Sequence, residues 1–214
     1  MKLLLPYFII IIIIIQIFLK RGKSNQKKRF QDFLDRESRA NATRKQDISG
    51  LDYLTISDEL PNTETSEELA NLSNEVKSIK KYLDEIEGLK DKKILNLSGI
   101  SNTDLKLEFG VANLTTLSEY DDNFSTLSRA LARLGHELIH YGDFKDAIVF
   151  LEYDVQIGSD IKSVYEDLAN FYHNNGFTEE LELLKQYARD LDCINTPIIL
   201  NYIDSLSNST DYQP

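Results

Sequence analysis

The sequence predicts an all-α protein, and two patterns carry the prediction. From residue 65 to 206 apolar residues recur three and four apart, the period of one helix face, and the segments so marked end at Gly142, Gly158 and Gly176. Ahead of them, residues 3–19 read LLLPYFIIIIIIIQIFL, with isoleucine at every position from 9 to 15 and no ionisable side chain other than Tyr7. At about 1.5 Å rise per residue such a run spans roughly 26 Å, so a transmembrane helix is expected over residues 1–19. Positive charge follows the apolar run and no small-residue cleavage site comes after it, which argues against a signal peptide. Only Lys2 precedes it, and the excess of basic residues beyond it places the rest of the chain on the cytoplasmic side of the cell membrane, in a single-pass topology.

Charge divides the remainder. Residues 20–46 hold ten basic and three acidic residues, a basic juxtamembrane segment in which Lys20, Arg21, Lys23, Lys27, Lys28 and Arg29 are candidates for contact with lipid head groups. From residue 47 onward 13 basic residues face 32 acidic ones, within a whole-chain net charge of -11. A domain so acidic repels a phosphate backbone, which excludes nucleic acid as its natural partner. Cys193 is the only cysteine, so no disulfide forms within the chain and no Cys-based metal site is available. No cofactor is implied.

Residues 47–64 read as a linker or clasp ending near Pro61, and residues 65–214 as the helical domain. Thr65 and Glu68 have the spacing of a capping box, and Leu69, Leu72, Val76, Ile79, Leu83 and Ile86 then mark one helix over 65–89. That stripe packs on the domain core or, alternatively, pairs with a second copy as a homo-oligomer. Gly99 and Gly110 punctuate two short pieces over 94–122, with Ser101 or Asn102 capping the first. Thr196-Pro197 opens a last helix with Ile198, Ile199, Tyr202, Ile203 and Leu206 on its apolar face.

Four helices fill the interval between. Phe124, Leu127, Leu131, Leu134 and Leu138 stripe the first; Ala147, Ile148, Leu151 and Val155 the second; Val164, Tyr165, Leu168, Ala169 and Tyr172 the third; Leu181, Leu184, Ala188 and Leu191 the fourth. The turn glycines Gly142 and Gly176 are 34 residues apart, a helical-repeat period. With Leu134-Gly135 and the run from Gly142 to Ala147, residues 128–192 resemble two units of the tetratricopeptide repeat family. Leu181 and Asp154 depart from the small residues of that pattern, and neither unit has the terminating proline. The resemblance implies a protein-binding groove lined by the first helix of each unit, at Arg129, Arg133, His136, Lys162, Glu166 and Asn170.

His136, Glu137 and His140 also spell H-E-x-x-H. Two histidines four apart share a helix face and bind zinc when a third ligand converges, with Glu137 as the base of a metalloprotease. Against this, the helix carries the apolar stripe of a repeat and reaches its turn two residues after His140. The reading that results is a membrane-anchored protein-protein interaction or scaffold module, not an enzyme, whose protein partner the sequence does not name. The alternatives are a zinc metalloprotease-like enzyme and a self-assembling structural subunit.

Overall fold

A computed structural model describes residues 26–191 and 193–209. Among them nine α-helices run in order: α1 over 26–42, α2 (Glu67–Glu75), α3 (Lys77–Glu87), α4 (Asn102–Phe109), α5 (Leu114–Tyr141), α6 (Phe144–Gln156), α7 (Lys162–Asn175), α8 (Thr178–Asp190) and α9 (Thr196–Ser209). The β pairing among the described residues is one isolated bridge, Leu54 to Ile94, so the fold is all-α.

Among the described residues no helix is long and apolar enough to cross a membrane. The first of them, α1, carries Lys27, Lys28, Arg29, Asp32, Asp35, Arg36, Glu37 and Arg39, too many charges to enter hydrocarbon. The anchor expected over 3–19, with Lys20, Arg21 and Lys23, lies outside the described residues. The single-pass topology, the cell-membrane location and the lipid partner are corrected accordingly.

The chain divides into two compact units. One holds the described residues up to Ser49 together with Ile100–Leu114. Here Ser101 caps α4 by accepting from the Asp104 N–H at 3.2 Å. Glu37 of α1 accepts from the Thr103 hydroxyl at 2.8 Å and from the Lys106 ammonium, and Arg36 pairs with Asp104. These donors hold the Glu37 carboxyl below its ordinary range, Lys106 first and Thr103 second. Gly110 ends α4 at φ +83° and ψ 147°, and a Cβ there would lie 2.5 Å from the Arg44 carbonyl oxygen. Only glycine tolerates both, so Gly110→Ala is expected to cost about 1–3 kcal/mol from backbone strain alone. Hydrogen exchange checks this: amides of α1 and α4 should lose protection in the variant while those of α6 and α7 keep theirs.

The other unit holds Gly50–Gly99 and the chain from Thr115 onward. Its apolar interior has two parts, and α6 serves both. Phe150 and Ala147 join Ile56, Leu60, Leu69, Ile79, Ile86 and the α5 stripe, while Leu151 and Val155 join the inward faces of α7, α8 and α9. Close approach of α5 to α6 depends on Gly135, where a Cβ would lie 2.5 Å from the Leu151 side chain. Gly142 and Gly176, at φ +88° and +73°, turn α5 into α6 and α7 into α8, and α9 covers α7 and α8.

The single helix expected over 65–89 is two. Val76 is extended, at φ -113° and ψ 106°, and separates α2 from α3. The cap is Ser66 rather than Thr65: its hydroxyl oxygen accepts from the Leu69 N–H at 3.2 Å, while its O–H donates to the Asp146 carboxylate of α6. Thr65 instead closes the preceding turn, accepting from the Asn62 N–H at 3.0 Å. The break lets Leu69, Ile79 and Ile86, all buried, reach one core from two helices. That burial commits Leu69, Ile79 and Ile86 of the expected stripe to the chain's own core, so the continuous helix over 65–89 on which the self-assembling alternative rested is corrected. Residues 47–64 pack as well: Ile56 and Leu60 are buried, and Tyr153 Oη donates to the Thr55 carbonyl at 3.1 Å and accepts from the Ser57 N–H at 3.2 Å.

A cationic stripe and groove on helix α5

The second half of helix α5 is enclosed almost all round, whereas Thr115, Ser118, Glu119 and Asp122 of its first half are exposed. Between Leu127 and His140 the exposed residues are Arg129, Arg133, His136 and His140, four, three and four apart. Eight of the others are buried and Glu137 and Ile139 are half-buried. A stripe with that spacing lies along one line of the helix surface, so what this half of α5 offers outward is one row of cationic-type side chains.

The upper part of that row lines a groove of about 540 Å³ with Tyr82 of α3, Ala132 and Glu137 of α5, and Ile161 and Ser163 at the start of α7. Ala132, 7% exposed, gives it a small apolar floor. Neither Arg129 nor Arg133 makes an ion pair among the described residues. Lys77, Lys80, Lys92, Lys93, Lys145 and Arg189 of the unit also make no ion pair among the described residues, so what sets the two arginines apart is their shared place on the groove. Elsewhere in the same unit Lys81, Lys90, Lys162 and Lys185 each hold a carboxylate.

The expected groove residues thus separate into two sets. Arg129, Arg133 and His136 come together, with the His136 Nδ1–H donating to the Asp167 carboxylate at 3.0 Å and tying α5 to α7. Lys162, Glu166 and Asn170 do not join them. Lys162 pairs with Glu166 and lies over the Tyr202 ring of α9, 5.6 Å from its centroid, and Asn170 accepts from the Tyr202 hydroxyl at 3.0 Å. The face of α7 predicted to bind a partner is occupied by the chain's own last helix. Tyr82, Ile161 and Ser163 were not anticipated, because they reach the groove from segments far apart in sequence. Lys27, Lys28 and Arg29 sit exposed on α1 in the other unit.

The zinc reading is corrected. Among the described residues no group of three or more His, Cys, Asp or Glu side chains is placed to hold a metal ion. His136 is engaged by Asp167, and the His140 ring lies edge-on to Tyr141 at 5.3 Å, so no third ligand completes the motif.

A second polar feature lies inside the unit. Asp154 of α6 is 0% exposed, and neither carboxylate oxygen has a hydrogen-bond partner. Two hydroxyls flank it, with Ser128 Oγ donating to Ser159 Oγ at 2.7 Å and the Ser159 proton left as the nearest donor to the carboxylate. Burial pushes the Asp154 carboxyl up to about 7, against a smaller downward pull from Ser128 and Ser159 and a small upward push from Asp160. Sealed from solvent, it contacts no substrate and is a matter of stability.

Comparison with family models, with curated proteins and with solved structures finds no match to this chain. Membership of the tetratricopeptide repeat family is therefore not supported. The two hairpins differ in the way this result implies: α5 has 28 residues and α7 has 14, and the position occupied by Asp154 holds a buried carboxyl where the repeat packs a small residue.

Proposed function

We propose that the chain is a non-catalytic binding module that receives a segment of another polypeptide in the groove beside α5. The observation that carries this reading is the stripe of Arg129, Arg133, His136 and His140, the exposed row of a stretch of α5 that is otherwise buried or half-buried, with both arginines lining one groove. Rigid flanking helices set those side chains at fixed spacing, which limits the ordering cost of binding. The groove lining carries one carboxylate, Glu137, and the His136 ring is engaged by Asp167, an arrangement suited to recognition.

Ser163 is exposed on the groove wall, and Ser163→Trp fills the space without changing charge. Selection of a displayed random-peptide library against the full chain should recover binders, and these should bind the Trp variant at least about tenfold more weakly, a loss of about 1.4 kcal/mol. Recovery of no binders, or binders indifferent to Ser163→Trp, would end the reading.

A further inference from the structure

Resting on that binding reading, we infer that the occupant of the groove is an acidic amphipathic helix of a partner protein, laid along α5 with two carboxylates one turn apart on Arg129 and Arg133. Charge complementarity comes first. These are two of the three arginines in the unit, they stand four residues apart, and neither makes an ion pair among the described residues, so the complementarity is local to the groove and acts against the unit's overall negative charge. A guanidinium presents a planar fork that matches a carboxylate in two parallel hydrogen bonds, so an arginine left open is a specific donor site for that group. Desolvating such pairs inside a groove strengthens them relative to open water, and their mismatch with a basic segment is correspondingly severe.

The helical form follows from geometry. Side chains four apart on α5 stand about 6 Å from one another, and Glu residues four apart on a second helix have the same separation. Between the arginines, Ala132 is small and nearly buried, so a helix axis can approach closely and seat an apolar side chain against Ala132 and Ile161. An extended segment is the poorer match. Strand addition draws its affinity from an exposed sheet edge, and the only β pairing among the described residues is the isolated bridge Leu54 to Ile94. Tyr82 on the α3 side supplies an aromatic wall of the kind that anchors interfaces. Glu137 on the rim excludes acidic residues beyond the two sites, which restricts where along the partner its charges fall.

The experiment uses the full chain and short labelled helical peptides read by fluorescence anisotropy. One peptide carries Glu at two positions four apart with a Leu between them on the same face. The second replaces each Glu with Lys, the third scrambles the first, and the fourth is neutral with a single phosphoserine. The Glu peptide should bind most tightly and lose affinity as salt rises from roughly 50 to 200 mM. Arg129→Glu with Arg133→Glu should weaken it at least about tenfold and turn preference toward the Lys peptide, with circular dichroism unchanged. Equal binding of the Glu and scrambled peptides, survival of Glu-peptide binding in the charge-reversed protein, or tighter binding of the phosphoserine peptide would each overturn the inference. Library-selected peptides separate this failure from that of the binding reading. If Ser163→Trp abolishes their binding while charge reversal leaves it intact, the groove binds polypeptide but not an acidic helix; if neither change matters, both conclusions fall.

Discussion

Asp154→Asn is expected to raise the stability of the chain at pH 8 by about 4 kcal/mol and to leave it nearly unchanged at pH 4. The wild-type carboxyl is fully buried, neither oxygen has a hydrogen-bond partner, and burial lifts it from 3.8 to about 7. Because the folded state holds this proton more tightly than the unfolded chain, stability falls as pH rises through the interval from 3.8 to about 7 and is level beyond it. Asparagine has the same shape and stays neutral, so it removes the dependence rather than reversing it. Other carboxylates of this acidic chain also shift with pH, and for that reason the quantity to measure is the difference between wild type and variant in urea unfolding at several pH values. A difference that stays constant with pH would mean that Asp154 is hydrated or paired in solution and would refute the assignment.

Phe150→Ala should cost about 3–5 kcal/mol, whereas Val149→Ala beside it should cost less than about 0.5 kcal/mol. Phe150 is 1% exposed among Ile56, Leu60, Leu69, Ile79 and Ile86, so its ring joins the residues 47–64 segment, α2 and α3 to α5 and α6. Val149, one residue earlier and about 100° round the helix, is 37% exposed. The Phe150 ring also forms part of the wall of a solvent-open pocket of about 730 Å³ whose lining includes the exposed residues Asp58, Thr63, Glu64 and Lys90. Chemical unfolding of the two variants measures the contrast, and similar midpoints would show that this part of the interior adds little to the whole.

Much of this architecture was legible from periodicity. The stripes at Leu127, Leu131, Leu134 and Leu138 and at Val164, Leu168 and Tyr172 became the buried faces of α5 and α7, because a 3.6-residue repeat leaves a helix only one side to bury. Gly142 and Gly176 marked the turns because both positions need φ above zero. The cationic row on α5 was also available in the spacing of Arg129, Arg133, His136 and His140, although the family resemblance drew attention toward Lys162, Glu166 and Asn170 as well.

Long-range packing decided the rest. Val76 continues the apolar stripe of 65–89 in sequence, yet the chain bends there because Leu69 and Ile86 share one core that a straight helix does not serve. Ser66 took the cap from Thr65 because Asp146 of α6 lies within reach of its hydroxyl. Lys162, Glu166 and Asn170 stand four apart on α7, and only the position of α9 determined that Tyr202 contacts Lys162 and Asn170 there. The metal reading failed for the same reason: a motif puts two histidines on one helix face, and the third ligand must come from elsewhere in the fold. Sequence by itself determined the all-α class, the helical hairpins and the residue types along α5, since these depend on neighbours within one or two turns. Tertiary structure alone decided which polar side chains find partners, leaving Arg129 and Arg133 open at the surface and Asp154 unsatisfied inside, because pairing and burial depend on segments that meet only when the chain is folded.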